Sequence, residues 1–260
     1  MGNGINIHDT AIISKDAELA EGVTVGPYSV IDTNVKIGPA TKIGPYCTIN
    51  EYTTIGKECE IFQGASIGSI SQDKKFKGEK GFLEIGNNNA IREYVTMNRS
   101  TEKNGKTVIG NDNLFMAYSH IAHDCIVGNS VTIANCGTLA GHVVLEDGVI
   151  IGGLAGVHQF VRMGQLSILG GCSKVVQDIV PYSMVDGQRA KICGINSIGL
   201  ERAGFSDEAK DSLKKAFKIL FSMKLNIKNA LKRVEEELPP SEEIKNLVNF
   251  IKSSERGIAR

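Results

Sequence analysis

The chain has 260 residues, with 29 basic and 29 acidic side chains and therefore no formal net charge. A neutral chain has no bulk attraction for nucleic acid, and no run approaches the ~18 uninterrupted apolar residues that a membrane-spanning helix needs. Met1-Gly2-Asn3-Gly4 lacks a basic segment followed by an apolar one, so no secretory signal is read there.

The first element in chain order is a repeat. From Ile7 to Val175 every sixth residue is apolar at 26 of 29 positions, and only Asp73, Glu79 and Lys103 fail. A composition 42% hydrophobic would supply about 12 by chance. A period of six fits neither a simple helix nor an alternating strand and predicts a parallel β-helix. Four residues after each apolar position the chain favours small side chains, such as Ala11, Ala17, Ser29, Thr41, Cys47, Cys59, Ala65, Ser119 and Cys125. One large and one small inward residue per six lets three short strands close a narrow triangular coil, three hexapeptides to a turn. The span then holds roughly nine coils at the strand spacing, a prism about 45 Å tall. Asn and Gly recur near the expected corners, where left-handed backbone angles come easily to them. The six cysteines show no CxxC spacing, and Cys47, Cys59 and Cys125 fall at the small inward position. They read as packing residues in a reducing, cytoplasmic protein.

Two segments interrupt the repeat and then restore its register, at about 69–83 (SISQDKKFKGEKGFL) and about 98–107 (NRSTEKNGKT). They are expected to leave the prism as loops, where sites can be built without disturbing the core. After the repeat ends near Val175 the pattern turns helical. Ser206 is a predicted N-cap for a helix carrying Leu213, Phe217 and Leu220, and a second helix is expected around 226–238. Pro239-Pro240 stops it, and Ser241 caps a third with Ile244, Leu247, Val248 and Ile251 on one face. The predicted domains are thus a β-helix over 1–195 and helices over 196–260. The tail is too small to be stable alone and is expected to dock on the prism or a neighbouring subunit. Residues 201–260 hold 13 Lys and Arg against 10 Asp and Glu, a surplus of three positive charges suited to an acidic partner.

Apart from His8, the histidines are His120, His123, His142 and His158. Adding 18 to 123 puts Gly141 directly above His123, with His142 beside it. Adding 18 again reaches Gln159, flanked by His158 and Phe160. These residues should line one vertical edge, with His120 on the strand leading into it. Two chemistries could use such a cluster. An imidazole, with an ordinary pKa of about 6.5, can take a proton from a hydroxyl that attacks an acyl carbon. Asp124 could then steady the imidazole, and the Gly141 N–H could face the oxyanion. Alternatively His120 and His123 could be zinc ligands, as in the γ-class carbonic anhydrases.

The motifs become specific at HIAHDC (His120–Cys125), LAGHV (Leu139–Val143) and GVHQF (Gly156–Phe160), joined by ASIGSISQD (Ala65–Asp73), LGGCS (Leu169–Ser173) and GINSIGLERAGFS (Gly194–Ser206). With them, essentially the whole chain resembles the acyl-[acyl-carrier-protein]–UDP-N-acetylglucosamine O-acyltransferases of lipid A synthesis. The resemblance implies a left-handed β-helix, a homotrimer with active sites in the clefts between subunits, and no metal or other cofactor. The acyl donor rides on the phosphopantetheine of acyl carrier protein. It implies His123 as catalytic base, Asp124 as its partner and Gly141 as the oxyanion amide. Gln72, Asp73 and Lys75 match sugar contacts. His120, His142, His158 and Gln159 line the site. Asn196 and Arg202 match nucleotide or phosphopantetheine contacts. Gly171, with Ile168 nearby, matches the acyl-chain ruler, and a glycine there implies a long 3-hydroxyacyl chain. Ile198, Ala203 and Arg189 depart from residues that some members carry near the nucleotide. The acceptor is UDP-N-acetylglucosamine or its 3-amino analogue, which would give an amide. A prism beginning at about residue 5 argues against the related N-acyltransferase, which has an added N-terminal domain.

Overall fold

A computed structural model describes residues 4–260. Met1–Asn3, which belong to the reading of the N-terminus and to the start of the 1–195 domain, lie outside the described residues. Among the described residues, two-residue strands follow one another at a spacing of six: Asn6–Ile7, Ile12–Ile13, Glu18–Leu19, Thr24–Val25 and onward to Lys174–Val175. Each strand pairs in parallel with the third one after it, Asn6 with Thr24 and Ile7 with Val25, three hexapeptides further along the chain. Three sheets result, of eleven, nine and eight strands.

The inward positions are those the period singles out. Ile31, Ile49, Ile67, Met97, Ile121 and Leu139 stack one above another and are almost fully buried. The small positions between them, including Val23, Cys59, Val131 and Val149, are completely buried. Polar occupants of that position turn inward on the backbone: Thr41 Oγ1 donates to the Gly56 carbonyl at 2.8 Å. Burial pushes the Cys125 thiol up to about 12, so it packs as a small apolar group.

The corners differ from the expectation of Asn and Gly. The left-handed residue is the third after the apolar position, and it is most often something else: Tyr28, Ala40, Tyr46, Tyr52, Glu58, Tyr94, Tyr118, Asp124, His142, Leu154 and Phe160 all have φ between 56° and 64°. The stacked backbone overrides local preference at these sites, because the chain must turn there to stay in the coil. The glycines after the apolar position serve a different purpose. A Cβ on Gly38 would lie 2.6 Å from the Gly56 carbonyl carbon of the next coil, so close stacking, not a positive φ, selects glycine there.

One position between them matters for chemistry. The second residue after the apolar one does not use its N–H in the ladder, and Pro27, Pro39 and Pro45 occupy it where no donor is needed. From Lys57 upward, on the edge that carries Pro39, the next coil caps the same N–H with a side chain. Lys57 N–H donates to Asn87 Oδ1, Asn87 to Asn111, Asn111 to Asn129 and Asn129 to Asp147, all at 2.7–2.9 Å.

Two coils are longer than the rest. Thr54 pairs with Glu84, and Glu84 with Val108, where a regular coil would have reached Gln72 and Glu102, two hexapeptides and one hexapeptide earlier respectively. The added lengths leave as excursions, the longer between strands Ser66–Ser69 and Phe82–Ile85 and the shorter between Thr96–Asn98 and Lys106–Ile109. The strands run on into the segments read as loops, so Ser69, Leu83, Asn98 and Thr107 are strand residues. Above the last coil an antiparallel hairpin, Ser183–Asp186 with Lys191–Ile195, closes the prism. The repeat pattern did not reveal it.

Four α-helices follow: α1 (Ser197–Arg202), α2 (Asp207–Phe217), α3 (Ile227–Glu237) and α4 (Glu242–Lys252). Ser206, Asn226 and Ser241 cap the last three, each accepting a backbone N–H from the first turn. Leu213, Phe217, Leu231, Val234, Leu247 and Ile251 form a second core with Val180 and Tyr182 of the prism top. The helices therefore dock on their own prism. Ala259 reaches back into the prism core, and its N–H donates to the Asp178 carbonyl at 2.9 Å.

Candidate active site

Strand His120–Ile121 leads into the corner where His123 and Asp124 sit. The coil above supplies Gly141 and His142, and the His142 N–H donates to the His123 carbonyl at 3.0 Å. A Cβ on Gly141 would lie 2.5 Å from His123 Cε1. The imidazole therefore lies flat against the Gly141 backbone, as the coil offset predicts, and only glycine leaves it room. Among the described residues the Gly141 N–H makes no hydrogen bond. It stands at the coil position whose N–H the ladder leaves unused, as at Gln63, Glu93, Ala117 and Asn135, and here that spare donor lies against the His123 ring.

His123 is only 13% exposed and Asp124 8%. Nδ1 of His123 lies 2.8 Å from Asp124 Oδ2. An ionised carboxylate can only accept, so Nδ1 carries the proton and Nε2 presents its lone pair. Nε2 is 4.0 Å from Asp73 Oδ2 of the first excursion. Burial acts to raise the Asp124 carboxyl. Hydrogen bonds from Ser100, Thr101 and His123 outweigh it and hold the group below the usual aspartate value. Ser100 Oγ donates to Oδ1, while Thr101 Oγ1 (2.7 Å) and Thr101 N–H (3.2 Å) donate to Oδ2.

The remaining candidates divide. His142 meets the His123 ring edge-on at 5.2 Å and stacks on Phe160 at 4.6 Å. His120 is set back on the strand, with Nδ1 2.7 Å from Thr96 Oγ1. Burial and then the neighbouring His123 hold its pKa below the ordinary histidine value, so it is neutral near pH 7. His158 and Gln159 are exposed one coil above Gly141, and His158 Nδ1 lies 3.4 Å from Arg256. Gln72 and Lys75 are exposed beside Asp73, whose Oδ1 accepts the Lys75 N–H at 2.9 Å.

Asn196, Arg202, Ile168 and Gly171 lie beyond the repeat or on another sheet of the prism than His123. Asn196 caps α1, accepting from Gly199 N–H and donating to the Leu166 carbonyl at 2.8 Å. Arg202 is exposed in the last turn of α1. Ile168 is half-buried on its strand, and Gly171 is exposed with the Gly153 carbonyl 3.2 Å from where its Cβ would be. Ser100, Thr101 and Phe160 were not assigned a role from sequence. Phe160 is one coil above His142, and Ser100 is one lengthened coil below Asp124. Correcting the coil offset for the excursion would have found it.

One cluster has metal-ligand character: His123, Asp124 and His142 bring three donor atoms within 4.8 Å. It differs from the His120–His123 pair considered for zinc. Both Asp124 oxygens are already occupied by Ser100, Thr101 and His123, so a cation at this cluster would have to displace those donors. Two cavities of about 650 and 600 Å³ lie elsewhere, lined by Glu146, Tyr182 and Asn246 and by Leu231, Lys252 and Ile258 respectively, and neither reaches His123.

Residues 178–259 match the family described as Udp N-acetylglucosamine O-acyltransferase, Domain 2, and residues 106–141 match the bacterial transferase hexapeptide family of six repeats. An acyl-[acyl-carrier-protein]–UDP-N-acetylglucosamine O-acyltransferase of Thermodesulfovibrio yellowstonii is 52% identical over 255 residues, covering 98% of this chain and 99% of its own. That of Herminiimonas arsenicoxydans is 49% identical over 259 residues, with 98% and 99% covered. Among solved structures, LpxA from Acinetobacter baumannii matches with a TM-score of 0.94 at 42% identity, covering 98% of this chain and 99% of that one. With the hexapeptide repeat, this likeness makes the coil a left-handed parallel β-helix.

Proposed function

The chain belongs to the acyl-[acyl-carrier-protein]–UDP-N-acetylglucosamine O-acyltransferase family, and from that premise we propose that it moves a 3-hydroxyacyl chain from acyl carrier protein to the 3-hydroxyl of UDP-N-acetylglucosamine, the first step of lipid A synthesis, with His123 as general base. Nε2 of His123 takes the hydroxyl proton as the sugar oxygen attacks the thioester carbonyl. A C–O bond forms, and the carbonyl oxygen becomes an oxyanion received by the Gly141 N–H. The intermediate collapses with cleavage of the C–S bond. The departing phosphopantetheine thiolate takes the proton back from the imidazolium, which Asp124 has steadied through Nδ1. The products are the 3-O-acyl sugar nucleotide and the carrier protein with its phosphopantetheine thiol free, and no other cofactor takes part.

The observation that carries this reading is the stacking of an uncapped Gly141 N–H on an imidazole whose Nδ1 is bound to Asp124 at 2.8 Å. Asp73 beside Nε2, with Gln72 and Lys75, holds the sugar. His120, neutral, and His142, His158 and Gln159 line the sugar and nucleotide. Arg202 and the end of Asn196 contact the diphosphate or phosphopantetheine, and Gly171 with Ile168 bounds the acyl chain. These last four lie away from His123 within one chain, which fits a site completed by a neighbour. The 1–195 domain does the chemistry, the 196–260 domain receives the acidic carrier protein, and the enzyme is a cytoplasmic homotrimer.

The test is acyl transfer by purified protein from 3-hydroxytetradecanoyl carrier protein to UDP-N-acetylglucosamine, beside His123→Ala. The expected result is an ester product, lost by at least about 10³-fold in the variant. Transfer only to the 3-amino analogue would replace the ester with an amide. About one zinc per chain, lost with His123→Ala, would refute the base mechanism.

A further inference from the structure

The second excursion does more than bypass the repeat. Its first residues reach up one coil and supply three of the four hydrogen bonds on the Asp124 carboxylate. We propose that Ser100 and Thr101 are positioning residues for acyl transfer, holding the Asp124 carboxylate in the orientation that receives the His123 Nδ1–H. This rests on reading His123 as the base.

A carboxylate offers about four lone-pair sites, and here four donors meet it, three of them sharing Oδ2. Oδ2 takes Thr101 N–H and Oγ1 together with His123 Nδ1, while Oδ1 takes the Ser100 hydroxyl. The excursion thus holds the carboxylate at both oxygens, one of which also receives the imidazole. The donors are themselves fixed. Ser100 is completely buried, and its N–H donates to the Phe82 carbonyl at 3.2 Å. Arg99, 6% exposed, ion-pairs with Glu51 at 2.8 Å and donates to the Glu51 carbonyl at 3.1 Å. A Cβ on Gly81 would stand 2.0 Å from the Ser100 carbonyl oxygen, so the first excursion closes directly on the second. Asn104 N–H donates to the Lys80 carbonyl at 2.8 Å. The two excursions are one assembly: one end carries Asp73 toward Nε2, and the other holds Asp124 on Nδ1.

Deprived of these donors, a buried carboxyl rises toward protonation and turns freely. A protonated or rotated Asp124 neither selects the Nδ1–H tautomer nor supports the imidazolium. The loss should therefore fall on kcat and leave substrate affinity nearly untouched.

The experiment measures kcat, KM and the pH profile of acyl transfer for the full-length protein, with 3-hydroxytetradecanoyl carrier protein and UDP-N-acetylglucosamine. Ser100→Ala/Thr101→Val should lower kcat about 100-fold with KM changed less than about twofold, and move the acid limb of kcat to lower pH, because an imidazolium without its anion forms less readily. Thr101→Ser, which keeps the hydroxyl, should recover most of the loss seen in Thr101→Val. In an Asp124→Ala background the double substitution should cost nothing more, because the donors act only through that carboxylate. Equal fractional losses in both backgrounds, or wild-type kcat in the double variant, would overturn the proposal. If the double variant does not fold, Thr101→Val alone supplies the same cycle. His123→Ala separates the two layers. An active His123→Ala removes the base and this proposal together, whereas an inactive His123→Ala beside a fully active Ser100→Ala/Thr101→Val removes this proposal alone.

Discussion

At the scale of single residues, the site depends on two groups that fit only one way. Gly141→Ala puts a methyl group 2.5 Å from His123 Cε1. The ring must shift by about an ångström, a displacement that costs on the order of 100-fold in rate. Kinetics should show that loss with a melting temperature close to wild type. Asp124 gives a prediction on stability. Its folded pKa lies below the unfolded value of about 3.9. The stabilisation it contributes is therefore complete above that value and is lost as pH falls through the lower folded one. Asp124→Asn should flatten the stability–pH curve below about pH 4 in denaturant titrations. An unchanged curve would show that Ser100 and Thr101 do not favour the charged form. His123, Gly141 and His142 were legible in sequence because the strand spacing turns one coil's offset into contact. Ser100 was not, since the excursion that holds it breaks the period of the coil. Asn196 also caps α1, which spacing within the repeat could not reveal.

At the scale of elements, the repeat announces its strands but not its corners. A six-residue apolar period locates each strand, because every strand buries one large side chain. The left-handed corners are imposed by coil closure, so Tyr, Leu, His and Asp hold them as well as Asn does. The hairpin Ser183–Asp186 with Lys191–Ile195 and the short helix α1 lie past the repeat and have too little length for a periodicity of their own. The helices α2 and α4 were legible from Ser206 and Ser241, whose side chains do cap them. The asparagine ladder carries a further prediction. In Asn111→Ala the Asn87 N–H loses its acceptor and Asn129 Oδ1 loses a donor. Leaving such a group unpaired costs about 1–3 kcal/mol. Urea unfolding should show that loss with acyl transfer intact, because the ladder runs up a different edge from His123.

At the scale of the whole molecule, the prism is unevenly buried. Ile7, at the inward position of the first coil, is 42% exposed, whereas Ile31 and Ile49 are at most 1% exposed. The other end is closed by the hairpin and the helical core. Amide hydrogen exchange should therefore be fastest in residues 5–20 and slow progressively toward the coils around His123. Uniform protection along the prism would contradict this. Stability graded by height leaves the chemistry in the best-supported coils. A last consequence follows from the N–H that the ladder does not use. Proline fills its position at a few early corners and side chains cap it along one edge, but at most other corners, above His123 among them, it stays bare. Corners of such a prism thus hold spare donors that folding has no need of. An anion-binding point can be written at a chosen height and edge by uncapping one donor and setting an imidazole one coil beneath it. Two positions, a single coil apart, would be enough to address it.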